Sequence, residues 1–263
     1  MARAHLFEFG DQRWFPSRLR NYATDFLQAL ANFTKMYQPI LPILDNALKE
    51  SNTNQIIDLG SGGGGGLIWL NQELKKNVPE LKFLLTDYYP NLKAFEHTKK
   101  QSDNFDFIRE SVDARNVSAK WKGLRTLFLS FHHFRPLDAK RILQNAVDSN
   151  SSIAIFEAQE RSFSSLLAML FSPLTVLVIT PMIRPFSIMR IVFTYLAPIL
   201  PITIWWDGIV SSLRTYSIDE MNKLVQDLDR SADYRWDIGR VKSGPGVILY
   251  LIGIKSHNNG SDH

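Results

Sequence analysis

Asp58, Asp87, Asp113, the pair His132-His133, and Glu157 each stand at the end of a short apolar run. Carboxylates in such places accept hydrogen bonds from ligand hydroxyls and amines, and a histidine takes a proton near neutral pH. Asp58 leads into Gly60-Ser61-Gly62-Gly63-Gly64-Gly65-Gly66. Glycine has no Cβ, so backbone N–H groups and the start of a following helix can close on a bound ligand. Five consecutive glycines also describe a flexible linker, but linkers are not preceded by a buried-strand pattern that ends in an acid. The first expectation is a nucleotide-like ligand.

Bringing these groups to one place needs a scaffold, and the pattern between them supplies one. Segments 55–59, 81–86, 105–109, 124–130 and 152–157 read as strands, with helices over about 67–76 and 90–100. A further helix carries Ile142, Leu143, Ala146 and Val147 on one face. Strands alternating with helices at this rhythm imply right-handed crossovers and a parallel sheet, and ligands sit at the carboxyl ends of such strands. All the chemically able residues above fall at those ends. Asp87 at the end of the second strand is placed to accept the hydroxyls of a ribose.

Residues 1–53 read as a helical cap. Leu19, Tyr22, Phe26, Leu27, Leu30 and Phe33 recur at helical spacing, and a second helix over 37–48 restarts at Pro39 and Pro42. The aromatic residues either pack on the core, or Trp14 with Arg18 and Arg20 forms a lip over the ligand pocket.

Composition narrows the classes. The chain has 263 residues, 45% hydrophobic and 21% charged, suited to one large domain with an elaboration. The absence of cysteine removes disulfides, thiolate metal sites and a cysteine nucleophile. The six histidines show no zinc spacing, so no metal is expected. A net charge of +4 without basic clusters favours anionic ligands or membrane surfaces over nucleic acid. Met1-Ala2-Arg3 opens no apolar signal run, so the expected location is cytoplasmic, extending to a peripheral place on the inner face of a membrane.

The segment Asp58-Leu59-Gly60-Ser61-Gly62-Gly63-Gly64 resembles the first motif of class I S-adenosylmethionine-dependent methyltransferases. Leu84-Leu85-Thr86-Asp87 is similar to their second motif, Val112-Asp113-Ala114 to the adenine-contacting turn, and residues 129–134 to the end of the fourth strand. Residues 234–241 and 246–255 resemble their closing β-hairpin, whose last strand enters the sheet antiparallel. The resemblance covers about residues 54–158 and 233–255. It implies a Rossmann-like seven-stranded α/β sheet with S-adenosyl-L-methionine as cofactor and S-adenosyl-L-homocysteine as product.

The resemblance also implies site roles. Gly60, Ser61 and Gly62 would admit the methionine part of the cofactor, Asp58 its amino group, and Asp87 with Tyr88 the ribose. Asp113 and Ala114 would border the adenine, with Ser130 and Arg20 as further cofactor contacts. The glycines after Gly62 exceed the family pattern and leave that loop less defined. Gly60-x-Gly62-x-x-Gly65 also satisfies the dinucleotide fingerprint. An acid two positions before the first glycine would repel a pyrophosphate, and the closing hairpin has no place in that topology.

Between the fifth strand and the hairpin, residues 162–206 carry only two charges, Arg184 and Arg190. Residues 163–183 are charge-free and about as long as a membrane span. A single span conflicts with strand five and the hairpin sharing one sheet. The insert is then either a helical lid over an apolar substrate or a hairpin dipping into one leaflet. In the second case Arg184 and Arg190 lie at the headgroups and Trp205-Trp206 at the interface. After it come Asp207, Arg214 and Tyr216, then a helix opened by Ser217 and Glu220 as a capping box. Asp207, Arg214 and Tyr216, with Trp14 and Glu157, would contact the acceptor, or Arg214 and Asp207 would pair to close the lid.

Methyl transfer to oxygen needs a base, and His132 or His133 stands where one is required, with Glu157 in reserve. A nitrogen, sulfur or carbon acceptor needs none. The domain reading is a cap at 1–53, the cofactor core at 54–160, an apolar insert at 161–232, the closing hairpin at 233–255 and a disordered tail at 256–263. The expected function is methyl transfer to a small lipophilic or lipid-like acceptor, with a membrane surface as a further partner and the oligomeric state open. Cofactor binding without turnover and an NAD-dependent oxidoreductase are the alternatives.

Overall fold

A computed structural model of the chain describes residues 1–244 and 246–256; the expected tail beyond 256 lies outside the described residues. Five parallel strands run through its centre: β1 (Gln55–Leu59), β2 (Lys82–Thr86), β3 (Phe105–Phe107), β4 (Leu124–Phe128) and β5 (Ile153–Glu157). β6 (Tyr234–Ser243) and β7 (Gly246–Lys255) form a hairpin, and β7 joins β5 antiparallel. The seven-stranded order is β3-β2-β1-β4-β5-β7-β6. Every residue of β4 and β5 is buried, as expected of central strands covered on both faces.

Two apolar layers hold the sheet. On one face lie α2 (Leu41–Glu50), α3 (Ile68–Asn77) and α4 (Leu92–Lys99), with Leu44, Leu70 and Phe95 packed on Ile56, Phe83 and Phe156. On the other lie α5 (Pro136–Asp148) and α10 (Ile218–Gln226), with Ile142, Leu143 and Met221 against Ile57, Leu127 and Ile155. The capping box of α10 is present: Ser217 accepts the Glu220 N–H, and Glu220 accepts the Ser217 N–H.

β4 stops two residues earlier than its apolar run. Leu129 takes a left-handed backbone, φ +50°, which a branched side chain tolerates only when its surroundings hold it. Its N–H donates to the Phe156 carbonyl at 2.9 Å. The turn redirects Ser130 across Gly60 and starts the short helical turn Phe131–His133.

The insert is a helical layer built from α6 (Phe163–Leu170), α7 (Ser172–Ile179), α8 (Ile188–Ile191), a π-helical turn at Val192–Leu196 and α9 (Ile199–Arg214). Phe26 of α1 (Ser17–Phe33) packs with Val176, Ile179, Ile183, Leu200 and Ile204, which fixes the insert on the N-terminal cap. No single helix among the described residues is long and apolar enough to cross a membrane. Two bent pairs are, by length and composition: Phe163–Leu170 with Ser172–Met182, at 45°, and Ile188–Leu196 with Ile199–Arg214, at 75°.

Arg190 corrects one expectation. It is buried, its guanidinium pairs with Asp25 of α1 at 2.8 Å, and it donates to the carbonyls of Ile183 and Pro185. A charged group inside an apolar layer must be paired, and α1 supplies the pair. Arg190 is therefore a pin between insert and cap rather than a headgroup contact, while Arg184 stays exposed. The Trp206 indole N–H likewise donates to the Phe7 carbonyl at 2.9 Å.

Candidate functional site

The glycine loop is shaped by its neighbours on β2 and α1. Ser61 N–H donates to the Thr86 carbonyl at 2.9 Å, and Gly62 N–H donates to Asp87 Oδ2 at 2.9 Å. Tyr89 N–H donates to the other oxygen of Asp87 at 2.8 Å, so two amides orient the carboxylate at the strand end. Gly60 and Gly64 both hold φ +69°, the left-handed region where glycine has no steric penalty. The extra glycines also admit α1. Gln28 occupies the space that a Cβ at Gly63 or Gly65 would fill, and Leu85 does so at Gly64. Asn32 of α1 donates to the Gly65 carbonyl and accepts from Trp69 N–H, locking the cap to the loop.

Asp58 is buried at the end of β1 and accepts the Thr126 hydroxyl at 2.8 Å. Burial pushes its carboxyl up to about 7, against the hydroxyls of Ser61 and Thr126 and with the Asp87 charge adding to the rise. Asp58, Gly60, Ser61, Gly62, Asp87 and Ser130 thus surround one loop. Tyr88 beside them is 48% exposed. Val112 N–H donates to the Asp87 carbonyl, which brings Asp113 and Ala114 to the same rim. The Asp113 carboxylate is held by Arg115 at 2.7 Å, and that hydrogen bond keeps it below the usual range. Arg20 donates to the carbonyls of Gly10 and Gln12, at 2.8 and 2.7 Å, and tethers the N-terminal turn to α1.

A second cluster lies at the ends of β4 and β5. Glu157 accepts the His132 backbone N–H at 3.1 Å and faces His132 Nδ1 at 2.7 Å. Gln159 donates to the same carboxylate. With Nδ1 carrying the proton toward Glu157, Nε2 of His132 is left as the acceptor. It points toward Glu8, whose Oε1 lies 3.9 Å away. His132, Glu157 and Glu8 are all buried.

The N-terminal segment closes this cluster. Asp207 of α9 accepts the backbone N–H groups of Phe9 and Gly10 at 2.7 and 3.0 Å. Arg214, at the other end of α9, pairs with Glu8 at 3.1 Å and Asp11 at 2.6 Å. The expected Asp207–Arg214 pair is therefore not formed; each holds the N-terminal segment instead. His133 Nδ1 lies 3.1 Å from Asp11. Burial alone would lower the His133 pKa, but the Asp11 hydrogen bond and the charges of Glu8 and Asp11 push it up to about 9. Burial raises Asp207 to about 6, with Glu8 and Asp11 adding and its two backbone N–H partners opposing.

The other acceptor-side candidates sit apart from one another. Tyr216 is buried, donates to the Phe134 carbonyl at 2.7 Å and carries the Arg3 guanidinium 4.0 Å over its ring. Trp14 is 68% exposed and touches Phe9 and Phe15 edge-on. A groove of about 400 Å³ lined by Pro42, Asn46, Arg235 and Asp237 lies by the amino end of β5, away from both clusters.

Glu8, Asp11 and Gln28 were not legible as site residues. Their neighbours carry the wrong signal: Phe7 is 49% exposed while Glu8 between two phenylalanines is buried. Only the strand-end position of His132 and Glu157 announced this cluster.

Comparison with known proteins gives the fold. No family model and no curated protein sequence matches the chain, whereas 147 chains of solved structures do. Human N-acetylserotonin methyltransferase, in complex with SAM, is 15% identical over 97% of this chain and 63% of its own, with a TM-score of 0.51. An O-methyltransferase family protein from Burkholderia thailandensis is 16% identical over 91% and 63%, TM-score 0.50. The plantazolicin methyltransferase BpumL, in complex with SAH, is 14% identical over 91% and 98%, TM-score 0.50. The chain spans about 63% of the length of the first two. The fold is that of the class I S-adenosylmethionine-dependent methyltransferases, extended by N-terminal helices and the apolar insert.

Proposed function

We propose that this protein transfers a methyl group from S-adenosyl-L-methionine to a lipophilic small-molecule or lipid-like acceptor, working beside a membrane surface. The residues present fit the cofactor: a glycine loop whose φ values admit close approach, the amide-oriented carboxylate of Asp87 next to it, and buried Asp58 for a cationic amine. Bound there, the cofactor supplies an electrophilic methyl group on a sulfonium. Gly60 and Gly62 admit its amino-acid part, Asp58 accepts the amino group, and Asp87 accepts the ribose hydroxyls. His132 Nε2 takes the proton of an acceptor hydroxyl, and Glu157 stabilises the imidazolium through Nδ1–H.

The observation that carries the acceptor class is the course of α9. Its start is apolar and open, with Ile199 and Ile202 at 41% and 55% exposure, beside Leu196 at 79%. Its end presents Arg214 to Glu8 and Asp11 in the histidine cluster. Sixteen residues span about 24 Å, so one rigid helix links an apolar surface to the site. Phe163, Val178 and Ile188, each above 70% or at 70% exposure, extend that surface across the insert. A peripheral seat on the inner face of a membrane follows as part of the same reading.

The reading is tested by incubating the protein with methyl-labelled S-adenosylmethionine and fractions of lipophilic phenols, quinols and lipids. Label in an extracted product, lost in Asp87→Ala, supports it. A second reading, cofactor binding without turnover, is favoured by the burial of His132 under Glu8. It is supported instead if the cofactor binds and S-adenosylhomocysteine never accumulates.

A further inference from the structure

Six charged side chains converge where the N-terminal segment crosses the ends of β4 and β5. Four are carboxylates, Glu8, Asp11, Glu157 and Asp207, and two are the guanidiniums of Arg3 and Arg214. Glu8 and Glu157 are buried, and the buried Arg214 guanidinium pairs with Glu8. The imidazoles of His132 and His133 stand in the middle, ring centroids 4.2 Å apart.

We propose that Glu8, His132 and His133 bind one divalent transition-metal ion, Zn²⁺ by the chemistry of its donors. One ligand atom from each of the three lies within 4.8 Å of the others. Tetrahedral Zn²⁺ takes imidazole nitrogen and carboxylate oxygen at about 2.0–2.2 Å, which sets donor atoms about 3.3 Å apart. His133 Nδ1 to Glu8 Oε2 is 3.5 Å and His132 Nε2 to Glu8 Oε1 is 3.9 Å, so the donors must draw in from separations of up to 4.8 Å to close on one ion.

Three further observations point to a ligand. His132 is 3% exposed, and its Nε2 makes no hydrogen bond among the described residues although it is aimed into the cluster. Its Nδ1 is fixed by Glu157 at 2.7 Å, the carboxylate–histidine arrangement that holds metal-ligating imidazoles in one tautomer. Arg214 and Ser211 occupy only Oε1 of Glu8, leaving Oε2 without a hydrogen bond among the described residues. Asp11 at 3.1 Å and Arg214 Nη1 at 3.4 Å face His133 Nδ1, so loading the ion displaces the proton shared with Asp11 and moves the guanidinium aside.

The site was invisible to spacing because Glu8 comes from the far end of the sequence. The assignment does not rest on methyl transfer, and it revises one step of it. A loaded ion occupies Nε2 of His132, so an acceptor hydroxyl bound to the ion would release its proton to a solvent water instead.

The test uses the full chain with no cofactor present. Protein stripped with a chelator is titrated with Zn²⁺ by calorimetry and with Co²⁺ by visible absorption. The expected result is one equivalent bound per chain, with the intense visible bands of four-coordinate Co²⁺. Glu8→Gln and His133→Ala, checked for native circular dichroism, should lose stoichiometric binding, and Glu157→Gln should bind about 10–100-fold more weakly. Substoichiometric binding to the wild-type chain, or wild-type affinity in folded Glu8→Gln and His133→Ala, overturns the site.

Discussion

Glu157, the last residue of β5, grips His132 twice, accepting its backbone N–H at 3.1 Å and facing its ring Nδ1 at 2.7 Å. One carboxylate therefore fixes both the position and the tautomer of a histidine delivered by a different strand. In metal-free Glu157→Gln the amide cannot stabilise an imidazolium. We expect product formation to fall by roughly 100-fold or more with cofactor affinity unchanged. Initial rates of S-adenosylhomocysteine release beside a cofactor titration separate the two effects; equal loss of both would point to misfolding.

Asp87 carries the ribose assignment. Its oxygens accept one backbone N–H each, from Gly62 and Tyr89, and keep lone pairs for a ligand. Asp87→Ala removes charge-assisted hydrogen bonds of about 1.5–3 kcal/mol, so the cofactor Kd should rise about 10–100-fold. An unchanged Kd by calorimetry contradicts the assignment.

Asp58 gives the cofactor affinity a pH dependence. Its carboxyl, held near 7 by burial, accepts a cationic amine only when ionised. Affinity should plateau above pH 7 and weaken by about tenfold per unit below it, and Asp58→Asn should bind weakly with a flat profile. The sign for stability is opposite to the common carboxylate case. Between about 3.9 and 7 the folded chain holds a proton that the unfolded chain has lost, so this group lowers stability as pH rises through that window. A flat wild-type binding profile from pH 5.5 to 8 refutes the role of Asp58.

Arg190 should matter to the insert rather than to chemistry. Arg190→Ala strands the carbonyls of Ile183 and Pro185 and leaves Asp25 unpaired. Asp25 is 38% exposed, which discounts the electrostatic loss. A cost of about 2–3 kcal/mol remains, or roughly 5–10 °C in Tm. Differential scanning calorimetry measures it, and a shift under 2 °C would remove Arg190 as the pin.

The apolar surface of the insert makes its own prediction. The full chain should co-sediment with phosphatidylcholine–phosphatidylserine vesicles, and Phe163→Asp with Leu196→Asp should lower the bound fraction several-fold while the fold persists. Equal sedimentation of the two proteins would take the membrane surface out of the account.

The parallel strands were legible as apolar runs ended by turn chemistry and the hairpin through the family resemblance, and β1, β2, β5 and the hairpin lie within two residues of their expected bounds. The glycine loop was legible as a cofactor cradle, yet the need for Gly63, Gly64 and Gly65 was not. That need comes from Gln28 and Leu85, brought there by tertiary packing. Arg190 misled because an arginine between apolar runs reads as an interface residue, and only the placement of Asp25 on α1 changes its role. Glu8 and Asp11 gave no local signal: Glu8 is buried between exposed Phe7 and half-buried Phe9, and Asp11 is exposed.

Calorimetric titration of the protein with S-adenosylmethionine, S-adenosylhomocysteine and NAD tests the central claim most directly. Micromolar binding of the first two at one site per chain, without NAD, is the expected result. Binding of NAD alone would contradict the cofactor assignment, and with it the roles given to Asp58 and Asp87.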